Sequence, residues 1–168
     1  MIWQAACTDK IAADLKLWVE DRGSTCAKLK ERGMPFTLKV CSVQRDSSSI
    51  MMGWEGFAWR RTAVLLLQNQ PWMLAQTWIK DHPNCAALIE KLHQSIPIGE
   101  WLYRDIYRFK RGAFEFTSDK ILNSWVEGYG VAHPIVARRS CFDGQTADDA
   151  LGLIEVFLQH PQWEKVCD

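Results

Sequence analysis

Residues 59–79 constrain this chain more than any other stretch: two apolar runs, 64–67 and 72–79, flank the polar break Gln68-Asn69-Gln70-Pro71. Both runs are rich in branched and aromatic side chains and the break has turn chemistry, so a β-hairpin is expected. Arg60 and Arg61 stand in succession at its outer end. Successive strand side chains point to opposite faces, so one guanidinium meets solvent and the other is carried beneath the sheet. A guanidinium there requires an anion. A neighbouring Asp or Glu in a structural salt bridge is the commoner arrangement, since most charges are solvated or paired. The alternative is a ligand carboxylate or phosphate, gripped by the planar fork through two hydrogen bonds.

Around such a hairpin the chain must supply a core. With 168 residues and 48% hydrophobic content, one compact domain over residues 1–168 is expected, without staples. The 20 basic residues are balanced by 20 acidic ones and form no basic run, which argues against nonspecific binding to nucleic acid or to a membrane surface. Six cysteines, at 7, 26, 41, 85, 141 and 167, include no Cys-x-x-Cys pair, a poor zinc or redox pattern. The start, Met1-Ile2-Trp3-Gln4-Ala5-Ala6-Cys7, does not read as a signal peptide, and no apolar run is long enough to span a bilayer. Free thiols in a reducing cytoplasm are therefore expected. Nine tryptophans leave two uses open, an aromatic pocket or, more commonly for such side chains, the core.

From Thr8 onward Ile11, Ala12, Leu15, Trp18 and Val19 recur at helical spacing opposite Asp9, Lys10, Asp14, Lys16 and Glu20, the pattern of an amphipathic helix. Asp21-Arg22-Gly23 breaks it, Ser24 caps a second helix over residues 25–32, and Gly33 closes that helix. The turn at 23–26 is either an ordinary capped helix start, the commoner case, or an anion site made of free backbone N–H groups. Residues 36–44 alternate as a half-buried strand, Asp46-Ser47-Ser48-Ser49 reads as a loop, and residues 50–56 look irregular. Asn84 is expected to cap a helix through Leu92, and His82 and His93 read as capping or surface histidines. Residues 95–102 form a second apolar turn, fixed by Pro97 and Gly99 so that nearby amides are exposed. A strand is expected over 104–117, with Arg104, Arg108, Lys110 and Arg111 on a solvated face. A short helix at 118–126, a strand at 135–142 carrying Arg138-Arg139, and a last strand at 151–158 before Pro161 complete the chain.

Glu155 is the one charge in the apolar run 151–158. Burying a carboxylate is costly unless it is paired, so Glu155 either bonds an Arg in the core or stands in a pocket with a raised pKa. Functional sites gather such groups, and both uses remain open.

The order of these pieces resembles the chorismate lyase family. The resemblance is carried by Gly23-Ser24-Thr25, Trp59-Arg60-Arg61, Pro71-Trp72, Ile96-Pro97-Ile98-Gly99-Glu100-Trp101-Leu102, Arg138-Arg139-Ser140 and Glu155-Val156-Phe157-Leu158, and spans residues 14–158. It implies an α+β fold, a mainly antiparallel β-sheet with helical flaps covering an internal ligand site. It also implies a cytoplasmic lyase, with no cofactor or metal, converting chorismate to 4-hydroxybenzoate and pyruvate, the first step toward ubiquinone. Arg61 falls where the family's Arg holds the ring carboxylate of the product, and Thr25 and Ile98 fall where backbone amides of the two flaps share it. Glu155 falls where the family's carboxylate meets the phenolic oxygen, so the implied catalytic residues are Glu155 and Arg61. Family members usually carry a large apolar residue at the place of Thr25, an Arg at Gln76, a Trp at Val136 and a Pro at Gln159. The implied partners are the small-molecule substrate and product, with no nucleic acid, no membrane insertion, and a monomeric chain. The same fold also serves as a ligand-sensing domain in bacterial transcription regulators, normally behind a DNA-binding domain for which this chain leaves no room. The alternative expectation is therefore a non-catalytic binder of small aromatic acids, a sensor or carrier.

Overall fold

The computed structural model describes residues 1–7, 11–47, 52–102, 109–131, 133–144 and 150–160. Helices α1 (Ala13–Val19) and α2 (Thr25–Glu31) precede β1 (Phe36–Asp46) and the hairpin of β2 (Ala58–Leu67) and β3 (Gln70–Lys80). Short helical turns follow, among them α3 (Ala86–Ile89) and α4 (Gly99–Leu102), and then β4 (Lys110–Arg111), β5 (Glu115–Thr117), α5 (Ile121–Glu127), β6 (Pro134–Asp143) and β7 (Ala150–Leu158). The strands form one seven-stranded sheet in the order β1-β2-β3-β7-β6-β4, with β5 also beside β6. Every pairing is antiparallel, so this is the mainly antiparallel α+β architecture expected.

The register sorts the side chains onto two faces. Arg61, Ala63 and Leu65 of β2 lie in rows with Thr77, Ala75 and Met73 of β3, and those continue to Leu153, Glu155 and Phe157 of β7. This face has an apolar cluster at each end. One gathers Trp18 of α1 and Leu29 of α2 with Leu65, Trp72 and Phe157. The other gathers Leu88, Leu92, Trp101 and Leu102 with Leu151 and Leu153. Each fully buried large side chain adds roughly 1.5–3 kcal/mol, so the two clusters fasten separate covers to the sheet. Between them the rows turn polar or small, and there the covers leave a cavity. The opposite face packs Val64, Leu74, Trp78, Ile154 and Val156 against Leu122 and Val126 of α5. Buried tryptophans serve the core: Trp18 and Trp72 meet edge to face with centroids 5.2 Å apart, and no Trp is among the described residues of the cavity wall.

The hairpin turn is tighter than residues 68–71 suggested. Leu67 pairs with Gln70, leaving Gln68 and Asn69 at φ 50° and 64° as a two-residue loop. Left-handed conformations at both central positions match the right-handed twist of the strands, and Asn tolerates them well. Asn69→Val is expected to cost about 1–2 kcal/mol because a β-branched side chain clashes there, whereas Asn69→Gly should be close to neutral. Urea midpoints check this; equal midpoints for the Val and Gly variants would contradict the turn.

Elsewhere the local expectations meet corrections. The Ser24 hydroxyl caps α2 as expected, accepting from the Ala27 amide at 3.3 Å, and Gly33 ends it at φ +65°. The segment after β3 is capped by His82, whose Nδ1 accepts from the Asn84 amide at 3.3 Å, because Pro83 occupies the first position of the turn. Of the strand expected over 104–117, the described part is two short strands parted by Gly112, Ala113 and Phe114: the Gly112 amide still bonds Cys141 O at 2.8 Å, but the register on β6 has slipped by one residue where β5 begins, Arg111 facing Phe142 and Glu115 facing Arg139. Arg104 and Arg108, most of the loop after Asp46, and Pro161 lie outside the described residues.

Candidate active site

The cavity lies between the sheet face of Arg61 and Glu155 and the two covers. Ser24, Thr25 and Cys26 approach from the start of α2, and Pro97, Ile98 and Gly99 from the start of α4. Ala63 and Ala75, a directly paired couple, make its floor, and Leu38, Leu65, Met73, Leu102 and Phe142 contribute apolar wall. Two methyl side chains at the centre of a sheet leave a flat recess that larger residues would fill. The covers also touch through the exposed Lys30–Glu100 ion pair, which joins α2 to α4. The helical flaps are thus present, and each of Arg61, Thr25, Ile98 and Glu155 lines the same cavity.

Arg61 is buried, at 2% exposure, while Arg60 turns to the other face and meets Gln44 and Asp46. Its Nη2 donates to the carbonyls of Gln94 at 2.7 Å and Ile96 at 3.1 Å, which ties the second flap to β2. Its Nε is buried with no partner, and among the described residues no carboxylate pairs with it. Burial lowers its pKa to about 10, so it remains a cation at neutral pH. The structural salt bridge considered from the sequence is thus absent among the described residues. What stands there is a cation facing a cavity with hydrogen-bonding capacity to spare.

Glu155 occupies the opposite end, at 4% exposure. Its Oε2 accepts from Arg138 Nε at 2.6 Å and Arg111 Nη2 at 3.0 Å, and its Oε1 accepts from the Thr25 hydroxyl at 2.9 Å. Thr25 Oγ1 in turn accepts from Arg138 Nη2 at 2.9 Å. Arg138 Nη1 donates to the carbonyls of Trp18, Val19 and Asp21, so it also meets the negative end of α1. Burial pushes the Glu155 carboxyl up, but the charges of Arg138 and Arg111 and the bonds from Arg138 and Thr25 outweigh it and hold the group at about 2. Both readings of Glu155 are met geometrically: it is paired in the core, and it lines the cavity. The raised pKa that a pocket alone implies is replaced by a firmly ionised carboxylate, a hydrogen-bond acceptor.

That pairing has a pH signature. The folded pKa lies below the ordinary 4.5, so Glu155 contributes its full stability above pH 4.5 and loses it as pH falls toward about 2. Wild type should therefore exceed Glu155→Gln in urea stability at pH 7, with the gap narrowing at pH 3. A gap that holds constant or widens on acidification would contradict the ionised pair.

Arg111 was expected on a solvated face and is instead a cavity residue. It bonds Ser140 Oγ through Nε at 2.9 Å and Gly23 O through Nη1 at 3.0 Å, besides Glu155. Sequence alone missed it because three neighbouring cations in a short segment look like a surface; its pairing with Phe142 in register turns it inward. Gln76, at a position where family members usually carry an Arg, points the other way, paired with Thr62 and Ile154 on the face away from the cavity. Cys26 lines the wall as a neutral thiol, its pKa pushed up to about 12 by burial and by the nearby Glu155 charge. Among the described residues no three His, Cys, Asp or Glu side chains converge as a metal site.

Fold and site together define a class: an antiparallel α+β domain with a flap-covered cavity, a buried cation at one end and an arginine-held carboxylate at the other. The chain belongs to the chorismate lyase family, whose model matches residues 1–167. A curated relative, the probable chorismate pyruvate-lyase of Pseudoalteromonas translucida (strain TAC 125), is 30% identical over 112 residues. That match covers 61% of this chain and 61% of the relative's own length. Among solved structures, the effector domain of PhnF from Mycobacterium smegmatis shares the fold, with TM-score 0.56 and 12% identity over 81% of this chain and 88% of that one.

Proposed function

We propose that this protein is a cytoplasmic chorismate lyase, releasing 4-hydroxybenzoate and pyruvate at the entry to ubiquinone synthesis. The observation that carries the reading is Arg61, a buried cation with no carboxylate partner among the described residues, set across a floor of Ala63 and Ala75 from the ionised Glu155. Arg61 and Glu155 stand two strands and two residues apart, about 12 Å between backbones, which the reach of both side chains reduces to the span of one substituted ring. In the proposed pose the ring carboxylate meets Arg61 and the backbone amides of Thr25 and Ile98. The pose is supported by their position, Thr25 opening α2 and Ile98 directly preceding α4, where N–H groups lack partners within the helix. The ring hydroxyl then donates to Glu155.

In the reaction the ring carbon bearing the hydroxyl loses its proton, and that electron pair becomes the third ring double bond. The adjacent carbon–oxygen bond breaks, and the departing enolpyruvate takes a proton on its methylene carbon to become pyruvate. Aromatisation drives the step, so the protein need only orient the dianion, assist the proton, and offset charge on the leaving oxygen, without a cofactor. The single-domain reading belongs to this proposal, supported by one sheet that takes in every strand from β1 to β7, and the monomeric reading is proposed with it.

Purified protein given chorismate should release pyruvate and 4-hydroxybenzoate above the spontaneous background. Because Lys30 and Glu100 tie the flaps over the cavity, rapid mixing should show a burst of product before a slower steady rate, as in enzymes limited by lid opening. A linear trace would count against release as the slow step. The second reading, a non-catalytic aromatic-acid binder, draws on the fold shared with an effector domain. It predicts thermal stabilisation by 4-hydroxybenzoate without turnover of chorismate.

A further inference from the structure

We propose that Arg111 distinguishes the dianionic substrate from the mono-anionic product by holding the carboxylate of the departing group. This rests on the lyase reading of the cavity. Chorismate carries its enolpyruvyl ether on the ring carbon next to the hydroxyl, so a ring anchored between Arg61 and Glu155 projects that group from the Glu155 end. Two guanidiniums stand there. Arg138 is 1% exposed and does not line the cavity; it is engaged with Glu155, Thr25 and the carbonyls of Trp18, Val19 and Asp21. Arg111 does line the cavity.

A guanidinium has five N–H donors, and the bonds of Arg111 can be counted against them. Nε bonds Ser140 Oγ, Nη1 bonds the carbonyls of Gly23 at 3.0 Å and Arg22 at 3.4 Å, and Nη2 bonds Glu155 Oε2. Among the described residues one N–H of Nη2 is left without a partner, beside the carboxylate that meets the ring hydroxyl. The Phe114 and Phe142 rings, 4.4 Å and 5.1 Å from the guanidinium carbon, hold it in place. Charge agrees with this count. Among the described residues, Arg61 and Arg111 on the cavity wall and Arg138 behind it stand against one carboxylate, Glu155, a surplus of two positive charges that matches a dianion. 4-Hydroxybenzoate offers only the carboxylate at the Arg61 end.

The test compares two ligands on three proteins: wild type, Arg111→Gln and Arg111→Lys, each with KM for chorismate and Kd for 4-hydroxybenzoate by tryptophan fluorescence. Loosening of Glu155 or of the Gly23 turn affects both ligands, so the ratio of the two constants isolates the second carboxylate. Arg111→Gln should raise the chorismate KM tenfold or more while the product Kd stays within threefold, and Arg111→Lys should recover part of the difference. A ratio within threefold of wild type in both variants overturns the proposal. If the Gln variant fails to fold by circular dichroism, the Lys variant decides: a selective rise in chorismate KM supports the proposal, and an unchanged ratio overturns it. Should wild type bind chorismate without turning it over, the lyase reading falls while the same ratio, taken from two Kd values, still judges Arg111.

Discussion

Glu155→Gln is expected to lower kcat by roughly 10²-fold or more, the loss that a displacement of about 1 Å in a reacting group can cause. Gln matches the shape and can still accept from Thr25, but it brings no negative charge. In wild type the carboxylate is already ionised, held at about 2, which makes it a weak base but a firm acceptor, so its role is to accept from the ring hydroxyl and fix the ring for elimination. The same substitution leaves Arg138 and Arg111 facing each other without their shared anion. Breaking a buried pair by removing one partner typically costs 3–5 kcal/mol, against a net stability of about 5–15 kcal/mol for a domain. Reduced stability with a folded majority at 25 °C is therefore expected. Activity must be measured per folded molecule, with urea melts alongside. A kcat within threefold of wild type on that basis would reduce Glu155 to an anchor for the first flap.

Arg61→Ala should weaken chorismate and 4-hydroxybenzoate alike, because the ring carboxylate is common to both. A hydrogen bond to a charged group is worth about 1.5–3 kcal/mol, which corresponds to roughly a 10- to 150-fold loss of affinity. The variant also strands the carbonyls of Gln94 and Ile96, so the second flap loses its tether to β2. Arg61→Lys keeps the charge but not the fork, and should recover only part of the affinity. Titration of intrinsic tryptophan fluorescence with 4-hydroxybenzoate reads the effect, since Trp101 stands 5.7 Å from the guanidinium. Affinity retained within twofold, roughly 0.4 kcal/mol, would mean the ring carboxylate is held elsewhere. Neither Arg60 nor Gln76 could then take over, as both point to the other face of the sheet; among the described residues Arg111 would be the remaining cation on the cavity wall.

These two predictions draw on different kinds of information. Alternation along a strand is a local property, so the sequence alone placed Arg60 and Arg61 on opposite faces and Glu155 in an apolar wall. Capping is local too, and Ser24 and Gly33 bound α2 as their chemistry requires. The family resemblance added an expectation that no local rule supplies, that Arg61, Thr25, Ile98 and Glu155 act on one ligand, and the fold brings all four to one cavity.

Partners across long sequence separations were beyond local reading. Nothing near Glu155 in the chain indicates that Thr25, 130 residues earlier, would bond it, or that Arg111, 44 residues earlier, would leave a basic segment to share its charge. Side-chain charge is a short-range quantity only in space. Whether Glu155 titrates high in an apolar pocket or low beside two guanidiniums depends on which strands lie next to β7. The sequence determined that a carboxylate would be buried there and that a cation would face the same side of the sheet. Only the strand order, β3 on one side of β7 and β6 on the other, decided that Arg138 would neutralise the carboxylate and Arg61 would stay open to an anion. Register brings Arg138 directly opposite Glu155, while β3 holds Arg61 a full strand away, beyond the reach of a direct pair.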